Sequence, residues 1–92
     1  IPDVSEFIGD AEKRINEIRM KIANIDVMKK KMLAQIDKIE ERLIKGRISD
    51  DKAEQLENEI EGQIEEMNDD KIELNRYLNE QIIYLNTFDI IE

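Results

Sequence analysis

The chain has 92 residues with a net charge of −9; it is 40% charged and 4% aromatic, with one Pro and three Gly. Such a composition suits long helices or a disordered segment, within one domain at most. Without Cys or His it has no thiol nucleophile, disulfide, Cys/His zinc site or histidine base, and Ser5, Ser49 and Thr87 lie in no nucleophile motif.

No apolar run approaches the roughly 18 residues that a membrane span needs, and no signal peptide is visible. The chain opens on Ile1-Pro2 without a Met, so a fragment of a larger protein is expected. Charge is unevenly spread. Residues 1–45 hold ten basic and nine acidic side chains, a balance of +1. Residues 46–92 hold four basic and fourteen acidic, a balance of −10. The second half is therefore not expected to touch nucleic acid phosphates.

Pro2 and Asp3 suit a helix start, with Val4 as the first candidate for burial. From Ile8 the apolar positions alternate steps of three and four: Ile8, Ala11, Ile15, Ile18, Ile22, Ile25, Lys29, Met32, Ile36, Ile39, Leu43. This is a heptad repeat with Ile8, Ile15, Ile22, Lys29, Ile36 and Leu43 at a and the others at d, the pattern of a coiled coil. An amphipathic helix of a globular bundle would carry a broader stripe. The spacing predicts a helix over 3–45, about 60 Å long.

Leu43-Ile44-Lys45-Gly46-Arg47-Ile48-Ser49-Asp50-Asp51 then reads as a helix stop followed at once by a helix start. Gly46 can take the left-handed conformation that ends a helix. Lys45 and Arg47 put positive charge beside the last carbonyls, Ser49 is an N-cap, and Asp50 and Asp51 place negative charge in the next first turn. A link this short, over 46–49, folds the chain into a hairpin.

The second helix is predicted over 50–88, with its stripe at Ala53, Leu56, Ile60, Ile64, Met67, Lys71, Leu74, Leu78, Ile82 and Leu85. Successive steps of four at Ile60–Ile64 and Leu78–Ile82 locally relax a left-handed supercoil. Gly62 marks a weak spot or a close approach there. The fold class is all-α, a two-helix antiparallel coiled-coil hairpin over 1–92. Paired positions should sum to about 95 or 96, with Leu43 facing Ala53, Ile39 facing Leu56, Ile36 facing Ile60, Ile22 facing Leu74, Ile18 facing Leu78 and Ala11 facing Leu85. Lys29, Lys30 and Lys31 come opposite Glu65, Glu66, Asp69 and Asp70, opposing a shifted register.

Glu61, Glu65, Asp69 and Glu73 repeat at i, i+4. With no His and no loop to wrap an ion, they read as a solvated face, and no metal or other cofactor is expected. The Lys29–Lys31 run reads as an answer to the acidic second helix. Lys29 and Lys71, at core positions, would fix register and partner number. The apolar residues outside the stripe point to contacts. At the turn, Leu43, Ile44 and Ile48 form an apolar tip that binds a partner, or else Ile48 staples onto Ala53 while Ile44 covers the turn. At the open end, Phe7, Tyr77, Ile83, Tyr84, Phe88, Ile90 and Ile91 exceed what two paired helices can bury. Phe7, Tyr77, Tyr84 and Phe88 are therefore docking candidates for a parent domain or a second copy.

The turn Leu43-Ile-Lys-Gly-Arg-Ile-Ser-Asp-Asp-Lys-Ala-Glu54, between two charged heptad helices, resembles the coiled-coil hairpin of large serine recombinases, the phage serine integrases. Gly46, Ile48, Ser49, Asp50, Asp51 and Glu54 carry the resemblance, while Ala53 stands where that family commonly has an aromatic. The resemblance implies a non-catalytic interaction arm of a DNA recombinase. Its contacts with other copies of the arm, with parent recombinase domains and with a directionality factor would control synapsis and the choice between integration and excision. It also implies a location in the cytoplasm of a bacterial host. Two readings from other classes stand beside it: a structural stalk or dimerisation spacer, and an acidic inhibitor that imitates DNA.

Overall fold

A computed structural model describes residues 3–91, with side chains described for 3–88. The fold is an all-α helical hairpin: α1 spans Val4–Ile44 and α2 spans Asp50–Ile91. Both termini of α1 are set by local hydrogen bonds. At its start the Ser5 backbone N–H donates to Asp3 Oδ1 at 3.0 Å, and the Ser5 hydroxyl donates to the same oxygen at 2.7 Å. Asp3 is thus the N-cap, outside the helix, satisfying a donor that the first turn leaves unpaired. The hydroxyl bond, then the backbone bond, hold the Asp3 carboxyl below the usual carboxylate range. Pro2 lies outside the described residues.

At the other end the Gly46 N–H donates to the Leu43 carbonyl at 3.0 Å and the Arg47 N–H to the Arg42 carbonyl at 2.9 Å. With Gly46 at φ +69°, these two bonds make a complete Schellman motif. It ends α1 at Ile44, one residue before the boundary expected from the sequence. Ser49 then caps α2: its Oγ accepts from the Lys52 N–H at 3.1 Å, and its carbonyl accepts the first helical bond, from the Ala53 N–H at 2.9 Å. The second helix begins at Asp50 and continues to Ile91, three residues past the expected end.

The chain divides into two compact units, one of the described residues up to Asn24 and from Lys71 onward, the other Ile25–Asp70. In the turn-proximal unit Ile39 and Ala53 are buried, and Ile25, Lys29, Met32, Ile36, Leu43, Leu56, Ile60, Ile64 and Met67 are half-buried. Ile39 shares one groove with Leu56 and Ile60, as the antiparallel threading requires. In the other unit Ala11, Ile15 and Ile18 are buried, with Ile8, Ile22, Leu74, Leu78, Ile82 and Leu85 half-buried. There Ile15 lines a groove with Ile82 and Leu85. The seam is therefore the expected heptad stripe, residue for residue. Most of it is only half-buried because one helix can shield a single stripe of its partner.

Gly62 shows which of its two readings holds. A methyl group built on it would meet nothing within 4 Å, so no close approach requires glycine there and what remains is a weak point in the helix.

Candidate interaction surfaces

The tip is built on the double-capped turn. Leu43 belongs to the seam and is half-buried. Ile44, the last helical residue of α1, is 86% exposed, the most exposed of the large apolar side chains described. Ile48 is half-buried and stands just before the Ser49 cap, while Ala53, four positions into α2, is 2% exposed. These are the two positions of a hydrophobic staple. The two residues that sequence reasoning treats together therefore separate: Ile48 is partly withdrawn into the turn, and Ile44 projects from it. Lys38, Arg42, Lys45 and Arg47 line an open depression at the turn end of α1, with Glu41 among them and Ile44 outside it. Lys45 Nζ is 2.7 Å from Glu41 Oε1.

At the open end, Phe7, Tyr77 and Tyr84 are 47%, 41% and 39% exposed, and Phe88 is half-buried. Ile83 is exposed on another side of α2, and the side chains of Ile90 and Ile91 lie outside the described residues. Tyr84 and Phe88 meet edge to face, with ring centroids 5.2 Å apart and planes at 89°, the arrangement that ring quadrupoles favour. Arg14 ties the two helices together at this level. Its Nε donates to Gln81 Oε1 at 2.7 Å, and its guanidinium carbon lies 5.9 Å from the centre of the Tyr84 ring, within cation–π range. Sequence reasoning missed Arg14 and Gln81. Their signal was the register, since their numbers sum to 95 and both flank the stripe.

Lys29 and Lys71 are half-buried within the stripe. Lys30 and Lys31 are exposed, as are Glu65, Glu66, Asp69 and Asp70. Among the described residues, no ion pair joins Lys29, Lys30 or Lys31 to those four carboxylates. Heptad geometry gives the reason. Positions 30 and 31 are b and c, on the outer side of the helix, so their attraction to α2 acts through solvent. Glu61, Glu65, Asp69 and Glu73 are exposed too. Among the described residues no group of three or more acidic side chains is placed to hold a metal ion. No described helix is long and apolar enough to cross a membrane. The heptad repeat does not account for Met20, Val27, Met28, Leu33 and Ile72, which are exposed.

Fold and surface together define a helical hairpin with an apolar, basic-edged tip and an aromatic flank at its open end. No protein-family profile, curated protein or solved structure matches the chain.

Proposed function

We propose that this hairpin is a non-catalytic protein–protein interaction arm of a site-specific DNA recombinase of the large serine type. Its tip contacts other copies of the arm and so influences synapsis and the direction of recombination. Parent recombinase domains and a directionality factor would be its further partners, in the cytoplasm of a bacterial host. The reading rests on the turn that resembles that family, and the observation that carries it is Ile44. An isoleucine exposed at 86% on a turn fixed by a Schellman motif and a serine cap is a contact residue held in place before contact. Such preorganisation lowers the ordering cost of association. A single large apolar residue makes a weak interface, and weak contact is what switching between states requires.

A second reading, a structural spacer, draws support from Ile48, whose partial burial fits local packing of the turn rather than a partner surface. Ile44→Asp and Ile48→Asp, made singly, separate the two. For the interaction arm, Ile44→Asp leaves the melting temperature unchanged and abolishes concentration-dependent association in sedimentation, because a carboxylate at an apolar contact is costly to desolvate. If Ile44→Asp associates as the parent chain does, the tip is not a contact surface and the spacer reading stands.

A further inference from the structure

We infer that two copies of the chain associate side by side through one flank of the turn-proximal unit, where a cationic row on α1 lies beside an anionic row on α2. The inference rests neither on the recombinase assignment nor on Ile44.

The two rows follow from the heptad. In an antiparallel pair, the residues just before the seam positions of both helices fall on one flank, and those just after them fall on the other. On α1 the preceding residues are Met28, Lys31, Gln35, Lys38 and Arg42, with three cations and no anion. On α2, from the second seam residue onward, they are Gln55, Glu59, Gln63, Glu66 and Asp70, with three anions and no cation. All are exposed. Among the described residues none of these six charged side chains forms an ion pair. The groove floored by Ile39, Leu56 and Ile60 is rimmed by Gln35, Lys38 and Arg42, so it opens on this flank, between the rows. The opposite flank differs. Its residues include Asp26, Asp37 and Glu40 against Lys30 on α1, and Glu54, Glu57, Glu61 and Glu65 without a cation on α2.

Charge selects the occupant. Turned about an axis parallel to the helices, a second copy lays its α1 over the α2 of the first, and its α2 over the α1. Both turns then lie at the same end. Because both copies count back from the same turn, Lys31 comes level with Glu66 and Lys38 with Glu59, each pair occurring twice. The two grooves meet at the axis, which gives an apolar centre with a charged rim and a four-helix arrangement. One level is like-charged: Lys45 faces Lys52 at the turn, where both are exposed and Lys45 is held by Glu41 at 2.7 Å. Other occupants satisfy only one row. Nucleic acid phosphates or an acidic peptide would meet Glu59, Glu66 and Asp70 beside the cations. The opposite flank of another copy is anionic on both helices and repels the same three carboxylates.

The test is sedimentation of the 92-residue chain over a range of concentrations at low salt, with circular dichroism to check helix content. The chain is expected to form a dimer that salt weakens. Lys31→Glu/Lys38→Glu makes both rows anionic, and Glu59→Lys/Glu66→Lys makes both cationic on balance. Each variant alone should dimerise at least about tenfold more weakly, since like charges then face each other. An equal mixture of the two sets opposite charges together again at every altered level and should form a heterodimer about as tight as the parent dimer. The chain with all four substitutions exchanges the signs of the rows and should also dimerise. Mixing does not repair a folding defect, so rescue separates contact from stability. Ile44, just after the seam residue Leu43, is on the other flank, and Ile44→Asp should leave this low-salt dimer unchanged. The apolar tip contact is read separately at about 1 M salt, where a Debye length of about 3 Å screens the flank. A parent chain that stays monomeric at about 1 mM overturns the inference. So do variants that dimerise as the parent does, a mixture that stays monomeric, or assemblies that grow beyond the dimer, the mark of a head-to-tail contact.

Discussion

The same substitution, glycine to alanine, should act in opposite directions at Gly46 and Gly62. At Gly46 the backbone sits at φ +69°. A Cβ there meets nothing within 4 Å, so the cost comes from backbone conformation alone. An L-residue forced into the left-handed region costs roughly 1–2 kcal/mol. If the turn relaxes instead, it gives up the Gly46 and Arg47 N–H bonds to Leu43 and Arg42, each worth about 1 kcal/mol. Either route gives Gly46→Ala a loss of roughly 1–2 kcal/mol, and Gly46→Asn a smaller loss, since Asn visits this region more readily. Gly62 lies inside α2, exposed and with no close neighbour. There Ala removes the entropy cost of glycine and should stabilise by about 1 kcal/mol. For a domain of this size each kcal/mol moves the melting temperature by about 4–8 °C. Circular dichroism melts and urea titrations of the variants read the shifts. If Gly46→Ala does not lower stability, the account of the turn is wrong, and if Gly62→Ala lowers it, the account of Gly62 is.

Cysteines at Ile39 and Leu56 should crosslink rapidly within one chain in dilute solution, since both residues line one groove; failure to do so, with helix content intact, would refute the register. Replacing Lys29, Lys30 and Lys31 by Glu should lower the melting temperature modestly at low salt. Because no ion pair joins them to the acidic second helix among the described residues, most of that loss should be recovered at high salt. A salt-independent loss would assign the effect to the packing of the half-buried Lys29 stem. Asp3 has a lowered pKa in the folded chain, so its contribution is present above the ordinary carboxylate value of about 3.9 and is lost as pH falls through the lower folded value. Ser5→Ala removes only the hydroxyl bond and should raise the Asp3 pKa part of the way back; an NMR titration showing no change would exclude the hydroxyl as the main cause.

The sequence by itself determined the hairpin. Apolar steps of three and four, unbroken in the first helix and with two extra steps of four in the second, specify which side of each helix is apolar, and Gly46 followed by Ser49 specifies where the chain reverses. With both known, the antiparallel register follows by counting from the turn. These features are legible because heptad periodicity and capping depend on neighbours close in the chain. Tertiary structure alone separated Ile44 from Ile48. Both lie off the stripe, and only the path of the left-handed turn sends one outward at 86% exposure and draws the other partly in. It also joined Arg14 to Gln81 and Tyr84 and showed Gly62 to have no close neighbour. Each of these depends on distances between side chains carried by two helices or around a turn. A one-dimensional pattern records which residues share a helix face, but not how far a side chain reaches across to the neighbouring helix.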